Sequence, residues 1–424
     1  MGILPTQYEL FDYKNVLRGT TCSKLNVVYI HYSSRIDENL VTRCTYMKPL
    51  FLKLVPLLLG LAAQVSHAVD AGVEPQQIIV GQNITLQGGK NNYGVEVQAG
   101  VQIVFNEVNR LGGVNGRRIT LRTLDDDNQS AKATANAQSL IDNGAFILFG
   151  SIEGGPSTAV MKVAAERKVP FFGPMAGSPE LRRPNQDMVF PVRAEHREEF
   201  RALIKYGAST GLKRVAFFHA DSDTGRLHLQ NVRLAAAEVK ATVELPIAFK
   251  SDITDQQLDA IVQQIGANKV DMVLNHGSPG TYEKLLRKIR AADLRAQFLA
   301  VNSGSTQLAA SLGPLAAGMI FSQVVPNPWA RKTQIAREYQ SAFQRAYPAR
   351  DFSYGSFEGY ITAKALVLAL QSAGPKLSRE SFMKALLGQK IDLGNFELNY
   401  APGEHAGSTF VDLSIVKKDG KFLQ

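Results

Sequence analysis

Short apolar segments alternate with amphipathic segments along the chain from Gln77 onward. Valines recur at intervals of four, three and four residues between Val97 and Val108, which predicts a helix with one buried face. The apolar runs between such helices, for example residues 146–149, are continuous, which is typical of parallel strands that helices cover on both faces. The pattern therefore predicts an α/β fold.

The same alternation starts again after Arg193. Further strands are predicted at 215–218, 242–247, 270–274 and 298–301, with helices between them. Two successive sets of strands and helices predict two doubly wound parallel-sheet lobes. Ligands of such sheets bind beyond the carboxyl ends of the strands, so two lobes that face each other there would enclose a cleft.

The beginning of the chain has a different pattern. A short basic stretch that starts at Met47 is followed by an apolar run over 54–63 and then by small residues. This is the pattern of a secretory signal peptide over residues 47–68, cleaved near Ala68. We therefore expect a periplasmic protein whose translation starts at Met47, with residues 1–46 as a non-native extension.

Composition narrows the chemistry and the partners that we expect. Both cysteines, Cys22 and Cys44, precede the expected cleavage point, so we expect no disulfide, thiolate metal site or cysteine nucleophile in the mature chain. No apolar run reaches the roughly 20 residues of a membrane span, and we expect no membrane insertion of the mature chain. The basic residues that give the formal net charge of +9 are interspersed with acidic residues and form no long Lys/Arg run. We therefore expect no nucleic-acid partner.

Sequence motifs for catalysis and metal binding are missing. No nucleophile elbow, zinc-protease helix or Walker loop occurs. The histidines after residue 68 are dispersed, without a pair at i, i+4, so we expect neither a metal nor a cofactor. Asp221 with His276 is the nearest combination of catalytic groups, and it keeps an enzyme open as a third hypothesis.

Three loops that follow predicted strands are candidates for ligand binding: 150–158, 173–181 and 219–225. Glycines in the first loop let the backbone approach a ligand, and the amides at the start of the next helix favour a carboxylate. Glu153 in that loop has little structural use, because it is a carboxylate among glycines. Plain turns and helix caps remain the alternative interpretation of all three loops.

Five segments occur in a specific order and spacing: Asn-Arg-Leu-Gly-Gly-Val-Asn-Gly-Arg at 109–117, three aspartates at 125–127, Ala-Asn-Ala-Gln-Ser-Leu-Ile at 135–141, Val-Pro-Asn-Pro at 325–328 and Phe-Glu-Gly-Tyr at 357–360. Together they resemble the periplasmic binding proteins of branched-chain amino acid importers, which have the type I solute-binding fold. The resemblance covers almost the whole of the chain after the predicted leader.

The resemblance implies a domain organisation. It implies two lobes joined by a three-strand hinge, whose strands we expect near Arg193, Val324 and His405. The expected domains are therefore a first lobe from 77–193 plus 324–405 and a second lobe from 194–323 plus 406–424. Loops of the first lobe would hold the head group of an amino acid, and the second lobe would close over it. With the loops above, this gives the following candidate ligand-binding residues: Ser151, Glu153, Gly154, Gly155, Ser157, Ala176, Gly177, Ser178, Asp221, Asp223, His276, Ser278 and Asn302.

The sequence departs from the family pattern at several of these positions. Gly154 and Gly177 stand where family members usually present hydroxyl groups. Asn302 or Ser303 stands where they present an acidic partner for the ligand ammonium, and Thr224 replaces an aromatic residue. We therefore expect a small polar ligand, an amino acid or a related amide or carboxylate, without assuming that it is leucine-like.

The resemblance also implies a function. The chain would be the solute-binding component of an ABC importer, a monomer that closes on its ligand and then docks on the membrane permease without performing chemistry. A periplasmic sensor that reports the ligand to a membrane receptor or kinase has the same fold, and it remains the alternative hypothesis.

Overall fold

The computed structural model describes residues 70–250, 252–277, 279–302 and 305–423. The predicted signal peptide and the extension before it lie outside the described residues. The described residues form two sheets of mainly parallel strands, each covered by helices, and one small antiparallel sheet. The predicted α/β fold with two parallel-sheet lobes is confirmed.

The first sheet contains β1 (Gln77–Ile84), β2 (Arg118–Asp125), β3 (Ile147–Phe149), β4 (Phe171–Phe172) and β5 (Val189–Phe190). All five strands are parallel, in the order β2-β1-β3-β4-β5. Strand β1 is buried along nearly its whole length, because strands of a parallel sheet are covered on both faces.

The second sheet contains β6 (Arg214–Ala220), β7 (Thr242–Phe249), β8 (Met272–His276), β9 (Gln297–Ala300), β10 (Ile320–Gln323) and β14 (Asp412–Ile415). Its order is β14-β10-β9-β8-β6-β7, and only β14 pairs antiparallel with its neighbour. Strands β6 to β9 overlap the four strands predicted after Arg193. The small antiparallel sheet contains β11 (Lys390–Asp392), β12 (Glu397–Ala401) and β13 (Glu404–Gly407).

Helices cover both large sheets. They are α1 (Asn92–Arg110), α2 (Ser130–Asp142), α3 (Gly154–Arg167), α4 (His196–Ser209), α5 (Asp223–Glu238), α6 (Asp255–Ala267), α7 (Pro279–Ala291), α8 (Ser305–Leu312), α9 (Gln334–Ala346), α10 (Tyr354–Ser372) and α11 (Arg379–Leu386). Helices α1 to α3 and α9 to α11 pack in the first lobe, and α4 to α8 pack in the second. Within the described ranges, none of these helices is both long enough and apolar enough to cross a membrane.

Helices α1 and α10 pack against each other and bring the later part of the chain onto the first lobe. The predicted apolar face of α1 is buried, including Val97 and Val101. Two glycines allow the close approach, since a Cβ at Gly100 would lie 1.9 Å from the carbonyl oxygen of Ser356. A Cβ at Gly359 would lie 2.1 Å from the carbonyl oxygen of Val97. Any side chain at either glycine would push the two helices apart.

Three crossing segments carry the chain between the two lobes: 191–195, 324–333 and 408–411. The first and third lie side by side, because the amide of Ser408 donates a hydrogen bond to the carbonyl oxygen of Val192 over 3.0 Å. Each lobe is therefore assembled from segments that are distant in sequence. The lobe boundaries drawn from the sequence stay a prediction.

Asp125, the last residue of β2, fixes the turn that follows β1. Its two carboxylate oxygens accept hydrogen bonds from the amides of Leu86, Gln87 and Gly88 over 2.9–3.2 Å, and from the amide of Asp127 over 3.0 Å. Burial opposes ionisation, but these four amides outweigh it and lower the pKa of Asp125 to about 2. The ionised carboxylate therefore stabilises this turn.

We predict that Asp125→Asn lowers the free energy of unfolding at neutral pH by about 1–2 kcal/mol, a range that allows for solvent screening of a partly exposed group. A carboxyl group whose pKa is depressed by folding stabilises the protein above its unfolded pKa, and this stabilisation is lost as the pH falls from about 4 towards about 2. Urea unfolding of both proteins at neutral and acid pH measures the difference.

The exposed Asp142, which pairs with Arg167, provides a control. Asp142→Asn is expected to change the unfolding free energy little at either pH. A stability difference between Asp125→Asn and the parent protein that stays constant down to about pH 2 would contradict the assignment.

Candidate functional site

A cavity of about 710 Å³ lies between the two lobes, at the carboxyl ends of their strands. The first lobe contributes the loops after β1, β3 and β4, and the second lobe contributes the loops after β6, β8 and β9. Parallel strands leave their ends at one edge of a sheet, which is where ligands of doubly wound folds bind. Of the predicted site residues, these line the cavity: Glu153, Gly154, Gly155, Ala176, Ser178 and His276.

The first-lobe wall is built around the amino-terminal end of α3. Glu153 precedes this helix with φ 65° and ψ 144°, a backbone conformation that residues with a Cβ adopt only under strain. No side chain of the described residues caps the helix, so the amides of its first turn, at Gly154 and Gly155, remain available to an anionic group in the cavity.

Ser178 supplies the hydroxyl of this wall. A Cβ at Gly154 would lie only 2.7 Å from the Ser178 hydroxyl oxygen, so the serine occupies the space that a side chain at position 154 would need. Burial and the neighbouring Asp126 raise the pKa of Glu153. The part of the wall around the start of α3 therefore combines backbone donors, one hydroxyl and one carboxyl group, and the loop after β1 adds Lys90 to the same cavity.

Three of the predicted first-lobe residues do not line the cavity. Ser151 and Ser157 are fully buried, and their hydroxyl groups lie 3.2 Å apart in a hydrogen bond behind the cavity wall. Gly177 does not line the cavity either, because a Cβ there would lie 2.6 Å from the ring of His196. The histidine ring fills the space in which family members are expected to place a hydroxyl.

Two of the predicted second-lobe residues also lie outside the wall. Asp221 and Asp223 point away from the cavity and pair with Arg226 at the surface. The residues between and beside them line the cavity instead. Ser222 accepts a hydrogen bond from the amide of Gly225 over 3.0 Å and so caps α5. The hydroxyl of Thr224 donates to Glu180 of the first lobe over 2.5 Å, which joins the two rims directly.

Asn302 belongs to a buried network beside the cavity, and Ser278 lies outside the described residues. The Asn302 side-chain amide donates to Glu358 over 3.1 Å, and its backbone amide donates to Glu199 over 3.1 Å. Asn302 also lines a smaller cavity of about 350 Å³. Its amide is therefore engaged with protein carboxylates, although its position at the end of β9 is the one that the sequence indicates.

Arg193 is the centre of that network, where the chain first crosses between the lobes. Its guanidinium lies 2.5 Å from a Glu199 oxygen and 3.6 Å from a Glu358 oxygen, and all three side chains are buried. Tyr93 of α1 donates to Glu358 over 2.5 Å, and Ser322 of β10 donates to Glu199 over 2.6 Å. The network therefore ties helices of the first lobe to elements of the second.

The charges within the network are unequal. Burial opposes ionisation of Glu199, but Arg193 and His196 outweigh it and hold the pKa of Glu199 far below its ordinary value. Burial raises the pKa of Glu358, although Arg193 is close. Glu199 is therefore the principal counter-charge of Arg193, and Glu358 mainly accepts hydrogen bonds.

A second buried arginine connects this network to the cavity wall. Arg182 donates to the carbonyl oxygens of Ala176 and Ser178 over 3.1 and 3.2 Å. It also donates to the carbonyl oxygen of Arg193 over 3.0 Å. The loop that presents Ser178 is thereby held at a fixed distance from the first crossing segment.

Several wall residues were not found from the sequence. Among them are Tyr93, His196 and Gln307, which line the cavity together with Asn275. Asn275 precedes the predicted His276 at the end of β8, where ligands of parallel sheets bind. The other three lie on helices, and helical periodicity does not show that their faces turn towards the opposite lobe.

We predict that Arg193→Met lowers the free energy of unfolding by about 3–5 kcal/mol, because it leaves buried carboxyl groups without their counter-charge. Urea unfolding followed by circular dichroism measures this loss. The double variant Arg193→Met, Glu199→Met is expected to recover part of the stability, since it removes the unpaired charge.

Arg110→Met removes the exposed pair with Glu107 and provides the matched control, with little change expected. A loss at Arg193 no larger than the loss at Arg110 would show that the buried network does not stabilise the protein.

Comparisons with known proteins identify relatives of this arrangement. The model of the family described as "Periplasmic binding protein" matches residues 77–421. The Leu/Ile/Val-binding protein BraC3 of Rhizobium johnstonii is 23% identical over 361 residues, which cover 84% of this chain and 95% of that protein.

Solved structures share the fold. A leucine-binding protein of Thermotoga maritima superposes with a TM-score of 0.72 at 20% identity, covering 81% of this chain and 96% of that one. The solute-binding protein of an ABC transporter of R. palustris, solved in complex with benzoate, superposes with a TM-score of 0.71 at 18% identity, covering 82% of this chain and 95% of that one.

Proposed function

The chain belongs to the periplasmic binding protein family, and we propose that it is the extracytoplasmic solute-binding component of an ABC importer. The observation that carries the proposal is the cavity of about 710 Å³ that both lobes line. Cavities of about 300–1,000 Å³ accommodate small molecules. A solute that contacts both lobes stabilises the closed arrangement relative to an open one, and the importer can recognise that difference.

The polar groups of the cavity wall fit a solute that has a carboxylate group and a cationic or amide group. The free amides at the start of α3 and the Ser178 hydroxyl suit a carboxylate. Glu153 suits an ammonium group, and Met175 and Phe321 add apolar surface to the same cavity. An amino acid satisfies all of these groups at once, and a related amide or carboxylate satisfies part of them. The relative BraC3 is named as a Leu/Ile/Val-binding protein.

The proposal includes where the protein works and what it meets. We propose that residues 47–68 direct export to the periplasm, that cleavage occurs near Ala68, and that the mature protein docks as a monomer on a membrane permease. N-terminal sequencing of the exported protein tests the cleavage. Uptake of the solute by cells with and without an intact copy of this chain tests the transport role.

We predict that a thermal-shift screen of amino acids, dicarboxylates, amides and small aromatic acids finds a stabilising solute. A solute present at 100 times its dissociation constant adds about 2.7 kcal/mol to the free energy of unfolding. Small-angle scattering with that solute is expected to show a more compact particle, because the lobes close. The absence of both stabilisation and compaction across the whole panel would overturn the proposal.

We predict that Glu153→Gln weakens binding of an amino-acid solute from that screen by about tenfold or more, because a charge-assisted hydrogen bond is lost. Glutamine keeps the shape of the side chain and the same strained backbone, so the substitution isolates the charge. Isothermal titration calorimetry gives the affinity.

The control is Glu166→Gln, at an exposed position of α3, the helix that Glu153 precedes. It is expected to bind the amino acid with the affinity of the parent protein. An unchanged affinity of Glu153→Gln for an amino acid would remove Glu153 from the ammonium site.

A further inference from the structure

Three histidines come together in the second lobe beside the cavity. His196 is the first residue of α4, His228 lies in α5, and His276 ends β8. Each offers a ring nitrogen, and the three nitrogens lie within 4.8 Å of one another. His196 and His276 line the cavity, whereas His228 is completely buried behind them.

The hydrogen bonding of these rings leaves nitrogens unused. Among the described residues, neither ring nitrogen of His228 has a hydrogen-bond partner, and the same holds for Nδ1 of His276. Buried polar groups in folded proteins normally have a partner. Nδ1 of His196 is bound by Glu199 over 2.8 Å, which leaves its Nε2 for a second interaction.

Packing of aromatic rings accounts for only part of this cluster. The His228 and His276 ring centroids lie 4.0 Å apart, and Phe200 packs against all three histidines. These contacts explain why the rings are buried together. They give no partner to the nitrogens of His228, for which an apolar side chain would pack equally well.

The group that these nitrogens suit best is a metal ion. Three imidazoles are a donor set for zinc, copper or nickel, whereas calcium and magnesium prefer oxygen. Histidine binds a metal in its neutral form, and burial lowers the pKa of His228 and His276. The carboxylate of Glu199 on Nδ1 of His196 is the arrangement that commonly orients a metal-bound histidine.

We propose that His196, His228 and His276 form a binding site for a divalent transition-metal ion such as Zn²⁺. Zn–N distances of about 2.0–2.1 Å place the nitrogens of a tetrahedral site about 3.3 Å apart, so the rings need only turn inward by about 1–2 Å. Three protein ligands leave one coordination position, and the two cavity-lining histidines direct it towards the cavity. All three residues belong to one lobe, so the site does not depend on lobe closure or on the proposed function.

The test uses tag-free protein that has been stripped of metal with a chelator. Equilibrium dialysis against ZnCl₂, followed by elemental analysis, is expected to give one zinc ion per chain, and Co²⁺ is expected to give the visible absorption of a tetrahedral site. Mg²⁺ and Ca²⁺ are expected not to compete. Protein that takes up no Zn²⁺ would overturn the metal site. A solute that binds without metal in the thermal-shift screen would still support the proposed function, so the two proposals can fail separately.

Matched variants locate the site. His228→Gln is expected to weaken zinc binding by at least about tenfold, while His405→Gln replaces a buried histidine of the first lobe and is expected to bind zinc as the parent does. Circular dichroism checks that each variant folds. If His228→Gln does not fold, His276→Gln, which lies on the cavity face, takes its place. Zinc affinity that is the same in the folded cluster variant and the parent would refute these ligands.

Discussion

The buried side chain of Arg193 carries a positive charge that only other protein groups can neutralise. The elements around it are placed to supply those groups. The residue lies where the chain leaves the first lobe, and the carboxyl groups around it come from both sides of that boundary. Glu199 on α4 supplies the principal counter-charge, and Glu358 on α10 mainly accepts hydrogen bonds beside it. An isolated buried guanidinium is strongly unfavourable, whereas one with well-placed carboxyl groups is tolerated. This requirement fixes the position of both helices relative to the crossing segment.

The same requirement determines the shape of the cavity wall. Glu199 also binds His196 and the backbone of Asn302, and Arg182 links the carbonyl oxygen of Arg193 to the loop that carries Ser178. Groups that line the cavity are thus attached to a set of buried charges. Because Arg182 holds the neighbouring loop in place, that loop does not close over the amides at the start of α3, and these amides remain accessible from the cavity.

The sequence predicts those parts of the protein that depend on local patterns. The alternation of strand and helix patterns predicted both sheets, and the rule that ligands bind beyond strand ends predicted the loops after β3, β4 and β6, whose residues do line the cavity. The sequence did not distinguish Ser178, which lines the cavity, from Ser157, whose hydroxyl bonds to Ser151. Both serines lie in predicted loops, and the sequence does not show which way a hydroxyl points. The histidine cluster was not found because its members are separated by 32 and 48 residues and meet only through the packing of α4, α5 and β8.

The contact between Gly177 and His196 has a consequence for how the cleft could change over time. The imidazole ring fills the space above position 177, and the amide of His196 donates to the Gly177 carbonyl oxygen over 2.9 Å. A larger residue at 177 would be excluded until the histidine was replaced by something smaller, and such a replacement would break the histidine cluster. These two positions are therefore expected to evolve as a pair, so that a side chain gained at 177 in the first lobe is inherited together with a smaller residue at 196 in the second.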